Sequence, residues 1–356
     1  MGVIRQPFGR LDDGHCVERW TLTGGRLRAS LLTYGAAVQS VVYDGVDIVL
    51  GFDRIEDYRD ARCPYIGTVV GRYANRLSDG LVVSGRTCPL DCNEGDTVQL
   101  HGGSQGLHRR LWEARPAPGH DPGVVFTLDC ADMQAGCPGN MRIQVTYTLT
   151  SDSALRIDYA AVCGQDTVVN LTNHAFFNLN GTAAEDIRNH TLELWADAYL
   201  PVDARLLPLG PPAVVEGTPF AFAPSATGLP GGENQIGSRL RCDHPQIALA
   251  GGIDHNFCIG GEGMRLAARV ASPKTGLVLE CHTDQPGVQV YLGQGLEEQT
   301  GKGGIANSAF AGLCLETQHY PDSPHHPEYP TTFLKAGDTF RSATEYRFYH
   351  REDCAL

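Results

Sequence analysis

The chain has 356 residues, 42% of them hydrophobic, a content that suits a folded protein with a sizeable core rather than a disordered one. Its 28 Lys and Arg stand against 41 Asp and Glu, a formal charge of −13. With no basic stripe to displace counterions, nucleic acid is not an expected partner. No run approaches the roughly 18 apolar residues of a membrane-spanning helix. The N-terminus, MGVIRQPFGRLDDGHC, lacks the basic-then-apolar layout of a secretory signal. A cytoplasmic location with no membrane contact is therefore expected. Twelve cysteines run from Cys16 to Cys354 without a CxxC pair, which predicts buried free thiols rather than a disulfide frame.

Along the chain, short alternating segments follow one another between glycines and prolines. LRASLLTYGAAVQSVVYDG, from Leu27, alternates in this way, and IEDYRDA, from Ile55, is the best short helix candidate. GRYANRLSDG places Asn75 beside Arg76 between Gly71 and Gly80, and in QLHGGSQGLHRRLW two glycines after His101 would let backbone approach a ligand closely. Ile143, Val145, Tyr147 and Leu149 alternate with polar residues; after SDSA come Leu155, Ile157 and Tyr159, a hairpin signature.

NLTNHAFFNL, read as extended, puts Asn170, Thr172, His174, Phe176 and Asn178 on one face, a wet cleft wall, with apolar residues on the other. The Pro- and Gly-rich stretch 208–232 reads as a long ordered excursion, not a boundary. LVLECHTDQPGVQVYLG, from Leu277, alternates again, and Gln289 points to its polar side. In GLCLETQHYPD, Leu313 and Leu315 face one way while Cys314, Glu316 and Gln318 face the other. The chain reads as all-β, a large antiparallel β-sandwich, with 1–356 forming a single domain.

A carboxylate inside a strand is costly unless it works or is paired, so Glu316 is either functional or salt-bridged to an arginine. Asp254, in GGIDHNFCIG, precedes another apolar run. One carboxylate, two histidines, an Arg, an Asp and planar amides suit the hydroxyls of a sugar, each of which both donates and accepts. No phosphate cradle, dinucleotide turn or nucleophile elbow is present.

GRYANRL, HGG followed by Trp112, TNHAFFNL, GGIDHNF, TDQPGVQVY and LETQHYPDSPHHPEYP, in this order, resemble the aldose 1-epimerase family, also called galactose mutarotases. The likeness runs from about Tyr34 to Phe348. It implies a β-sandwich of the galactose mutarotase type that interconverts the α and β anomers of free aldoses such as galactose or glucose. It further implies no cofactor, no metal, and a monomer or weak homodimer. Carried over by position, the general base is Glu316 and the general acid His174, with substrate contacts at Asn75, Arg76, His101, Asp254 and Gln289. For that cycle Glu316 starts ionised and His174 protonated near neutral pH. The chain departs from the family pattern at Leu107-His108-Arg109 and at Ala175-Phe176, departures that bear on which aldose is preferred.

Three rivals share these residues. A binding protein would keep the platform without the chemistry, and a glycoside hydrolase would need two carboxylates, for which Glu316 and Asp254 are the candidates. A metal site could be built from His101, His174 and Glu316. A sugar phosphate as substrate would call for additional Arg or Lys at the cleft.

Overall fold

Met141–Leu149 and Ala154–Cys163 pair antiparallel across the SDSA turn, as the alternation predicts, with Tyr147 opposite Ile157. Around this hairpin grows an eight-stranded sheet: Glu113–Pro116, Gly123–Cys130, the hairpin, Thr339–His350, Leu277–Thr283, Arg265–Ala271 and Thr191–Leu194. Every neighbouring pair in it is antiparallel. The computed structural model describes residues 2–182, 185–224 and 234–354.

Two five-stranded sheets stand beside it, with five two-stranded ladders making up the remaining strand pairing among the described residues. The N-terminal one is a meander of Gly2–Arg10, Cys16–Gly24, Leu27–Leu32, Val38–Tyr43 and Val46–Asp47. The second runs Ala213–Val214, Ala196–Tyr199, Asp254–Ile259, Gly287–Tyr291 and Cys314–Gln318, and is called the site sheet below. One apolar core joins the three: Trp20 and Leu31 from the first, Ile143, Ile157 and Phe348 from the large sheet, and Phe257, Val288 and Leu315 from the site sheet. Single hydroxyls tether the layers. Tyr147 Oη donates to the carbonyl of Ala36 at 2.8 Å, and Tyr346 Oη to that of Leu315 at 2.8 Å. The helices are short, among them Ile55–Arg59 where IEDYRDA predicts one. No helix among the described residues is long and apolar enough to cross a membrane.

Several expectations change in the structure. The alternation in LVLECHTDQPGVQVYLG belongs to two strands in different layers: Leu277–Thr283 joins the large sheet and Gly287–Tyr291 the site sheet. Thr283 Oγ1 donates to Ala343, and Asp284 Oδ1 accepts from the Ala343 N–H, which anchors the crossing between layers. In NLTNHAFFNL only Thr172–Asn173 is laddered, against Val69–Val70. Asn173 Oδ1 accepts from the Ala175 N–H at 3.0 Å and turns the chain out of the strand.

Of the cleft wall predicted there only His174 reaches the cleft, because Asn170, Thr172, Phe176 and Asn178 are all at most 2% exposed and do not line it. The asparagines instead satisfy buried loop carbonyls: Asn170 those of Ala74 and His319, Asn173 that of Gly67, Asn178 those of Glu185 and Ala311. Eleven cysteines have described side chains and all are free, but Cys16 and Cys242 are exposed rather than buried. The Pro- and Gly-rich stretch is ordered over 208–224, where Phe220 and Phe222 enter the core; its residues 225–232 lie outside the described residues.

Candidate active site

Strand alternation builds the floor of the site. In the site sheet Asp254 lies opposite Tyr291, which lies opposite Cys314; one pair along, Asn256, Gln289 and Glu316 stand in register. All six side chains share one face, because positions two apart on a strand point the same way. The intervening Phe257, Val288, Val290 and Leu315 fill the core on the other face. Gln289 Nε2 donates to Asp254 Oδ1 at 2.7 Å, so the amide orients the carboxylate.

The walls come from loops. Asn75 adopts the left-handed conformation at φ 64°, common enough for Asn, and its Oδ1 accepts from the Arg76 N–H at 2.8 Å. This turn feeds the short strand Arg76–Ser78. The Arg76 guanidinium is bidentate on Glu94, through Nε at 2.7 Å and Nη2 at 3.0 Å, and its Nη1 lies 3.6 Å from Asp254 Oδ2. His101 Nδ1 accepts from the backbone N–H of Asn75 at 3.1 Å. The glycines after His101 serve chain packing rather than a ligand: a Cβ on Gly102 would sit 2.0 Å from the Gly71 carbonyl, and one on Gly103 2.4 Å from that of Asp91.

These groups enclose a cleft of about 310 Å³, the lower end of the usual small-molecule range. Asn75, Arg76, His101, His174, Asp254 and Glu316 all line it, joined by Tyr65, Glu94 and Tyr291. Gln289 stands behind Asp254 instead of at the wall. His174 Nε2 lies 3.7 Å from Glu316 Oε1, and its ring rests on Phe176 at 4.9 Å between centroids, with His101 edge-on at 5.2 Å. Glu316 is 2% exposed, and its Oε2 has no hydrogen-bond partner.

Burial dominates the electrostatics. It pushes the Glu316 carboxyl well above the usual range, aided by the charge of Asp254 and opposed by Arg76. It pulls His174 down to about 4, against a backbone hydrogen bond and the attraction of Asp254. His101 is held well below its ordinary value by burial and by His174, Arg76 and His108, and His108 is pulled to about 3. Burial thus disfavours the charged form of both members of the Glu316–His174 pair. Both directions run against the ionised glutamate and protonated histidine that the expected cycle starts from.

A metal fits this donor set poorly. One ligand atom each from His101, His174 and Glu316 can be chosen with all three within 4.8 Å of one another. A backbone N–H can only donate, so His101 Nδ1 is the acceptor and Nε2 carries the ring proton. The nitrogen facing the cleft is therefore a donor, not a lone pair, and ligation would require an imidazolate.

Sequence reasoning missed Tyr65 and Glu94. Tyr65 lies among the histidines, its ring 4.6 Å from that of His101 and 4.7 Å from that of His108. Both residues sit in loops without periodicity, where an aromatic or an acid has no face to betray it.

Comparison with known proteins is consistent across sequence and structure. A family described as aldose 1-epimerase matches residues 18–347. The galactose mutarotase of Bos taurus is 37% identical over 357 residues, 98% of this chain and 99% of its own. The aldose 1-epimerase of Escherichia coli is 36% identical over 329 residues, 90% and 91% of the two chains. A galactose 1-epimerase structure from Lactobacillus acidophilus superposes with a TM-score of 0.85 at 28% identity, covering 98% of this chain and 99% of that one.

Proposed function

Because the chain belongs to the aldose 1-epimerase family, we propose that it interconverts the α and β anomers of free aldoses such as galactose or glucose, with Glu316 as general base and His174 as general acid. The observation that carries this reading is the close, buried pair: an imidazole nitrogen 3.7 Å from a carboxylate whose second oxygen has no donor. A sugar hydroxyl in the cleft donates to the Glu316 carboxylate. Its hydrogen bond favours the ionised carboxylate, and an ionised Glu316 favours a protonated His174.

Ring opening then needs two proton movements. Glu316 takes the proton of the C1 hydroxyl, the C1–O1 bond becomes a carbonyl, and the C1–O5 electron pair goes to O5, which takes the proton from His174 Nε2. The pair is left as carboxylic acid and neutral imidazole, the state that burial already favours. Rotation about C1–C2 and closure on the other face, with the proton movements reversed, yields the second anomer. Each positioned proton-transfer group contributes about 10²–10⁴-fold. Asn75, Arg76, His101 and Asp254 bind the remaining hydroxyls, and Gln289 acts by holding Asp254. We read the chain, 1–356, as one catalytic domain, a monomer or weak homodimer that works without a cofactor.

Polarimetry of freshly dissolved α-D-galactose and α-D-glucose, with wild type and Glu316→Gln, tests the reading. Faster approach to an unchanged final rotation with wild type alone supports it. No acceleration for any aldose in a panel overturns it in favour of a binding protein. Release of chromophore from an aryl glycoside would overturn it in favour of a hydrolase.

A further inference from the structure

Beneath the cleft the site sheet carries polar groups that the fold itself does not satisfy. Both amide atoms of Asn256, both of Gln318, Oε1 of Gln289 and Oε2 of Glu316 are buried and find no hydrogen-bond partner among the described residues. All four side chains are at most 3% exposed, and only Glu316 lines the cleft. They are also neighbours. Asn256, Gln289 and Glu316 stand in register, and Gln318 follows Glu316 on the same face, opposite Gly287. A Cβ on Gly287 would sit 2.6 Å from Asn256 Oδ1, so the Asn256 amide lies over the glycine whose register partner is Gln318. Side chains directly opposite on neighbouring strands have Cβ atoms about 4.5–5.5 Å apart and diagonal ones about 7–8 Å, gaps that one water spans. The occupant must serve two kinds of atom, because amide nitrogens only donate while the oxygens need a donor. A cation would satisfy the oxygens alone. Water does both, and a buried water characteristically bonds about three otherwise unpaired groups.

We infer that Asn256 and Gln318 are positioning residues for the reaction proposed above: they hold a water beneath the cleft that donates to Glu316 Oε2 and so keeps Oε1 turned to His174 and the sugar. The water accepts from an amide nitrogen of Asn256 or Gln318, and its second proton goes to Gln289 Oε1. Gln289 Nε2 is already committed to Asp254, so one amide joins the water to a sugar contact. A carboxylate fastened at one oxygen cannot swing its reacting oxygen out of line. Donation from the water also favours the ionised form that the cycle requires of its base.

The first test is a crystal structure of the wild type that shows ordered solvent. A water within about 2.6–3.2 Å of Glu316 Oε2 and of the Asn256 or Gln318 amide is expected. A dry site with the amides turned onto protein partners overturns the inference, and so does a peak ligated by oxygens alone, as a cation would be. Asn256→Leu and Gln318→Met then replace each amide by an apolar group of similar size. Each should lower kcat by roughly 3–10-fold, the worth of one modest hydrogen bond, with KM within about twofold because neither residue lines the cleft. Asn256→Ser, which keeps a polar hydroxyl, should recover most of the loss. The infrared C=O stretch of protonated Glu316, isolated in each background by subtracting the corresponding Glu316→Gln spectrum, should move to higher frequency in both apolar variants. An unchanged stretch overturns the inference even where kcat falls, because packing damage alone also slows an enzyme; an unchanged kcat overturns the positioning role. The crystal and infrared readings need no sugar, so failure of this inference and failure of the functional reading are separable.

Discussion

Two glutamates, both on antiparallel strands and both largely buried, show how the same side chain is made structural in one place and reactive in another. Glu280, on the large sheet, has Arg269 and Arg347 as its register partners on either side. It accepts from Arg269 Nε at 3.0 Å and Tyr349 Oη at 2.9 Å, with His282 Nε2 at 3.1 Å. Burial alone would raise its pKa; the donors outweigh it and hold it at about 2. Glu316 sits beside the neutral amide of Gln289, is 3.7 Å from the nearest imidazole nitrogen, and keeps one oxygen without a partner. Under the proposed mechanism, the few donors around Glu316 are what leave its carboxylate able to take a proton, whereas the donors around Glu280 hold that one ionised.

The sharpest way to break this contrast is to neutralise each carboxylate in turn. Glu316→Gln should lower kcat by about 10²–10⁴-fold, while Glu280→Gln should leave kcat within twofold; polarimetric initial rates on both decide it. Loss of activity in Glu280→Gln with the fold intact would erase the distinction. The stability effects should run the other way. Glu280→Gln removes charged hydrogen bonds around Arg269 and should cost about 1–3 kcal/mol in chemical denaturation, whereas Glu316→Gln deletes an uncompensated buried acid and should unfold no earlier than wild type.

The pH dependences have opposite signs. Glu280 has a depressed folded pKa, so it binds fewer protons folded than unfolded; its stabilisation is present above about 4.5 and is lost as pH falls through about 2. Glu316 has a raised one, so its contribution is full below about 4.5 and fades as pH rises through its folded value. Melting curves of Glu316→Gln against wild type should therefore diverge in favour of the variant as pH rises from 4.5. Activity should fall on the acid side near pH 4, where His174 takes a second proton, and on the alkaline side where Glu316 surrenders the pair's last one. Both limbs belong to the pair rather than to single residues. A kcat/KM profile without an acid limb above pH 3 would contradict this account.

The part of the site carried by regular strands was legible in the sequence. Leu313 and Leu315 against Cys314 and Glu316, and Val288 and Val290 against Gln289, betray a two-faced sheet because one face must be apolar. NLTNHAFFNL misled for a physical reason: asparagines look like surface residues, yet here their amides satisfy carbonyls that irregular chain leaves unpaired in the interior. Glu94 was illegible because its role depends on Arg76, eighteen residues away across a loop. The likeness to a known family supplied the roles of Glu316 and His174, which periodicity alone could locate but not assign.

The pairing of Arg76 has a consequence for which molecules can compete for the cleft. Its guanidinium is already matched to Glu94 on one side and faces Asp254 on the other, and the second arginine at the cleft, Arg62, pairs with Glu297 at 2.8 Å, so among the described residues neither cation lining the cleft is unpaired. A phosphorylated hexose would bring its dianion up against Glu94 and Asp254 and would lose the water that stabilises it outside. Neutral sugars lose far less on entry.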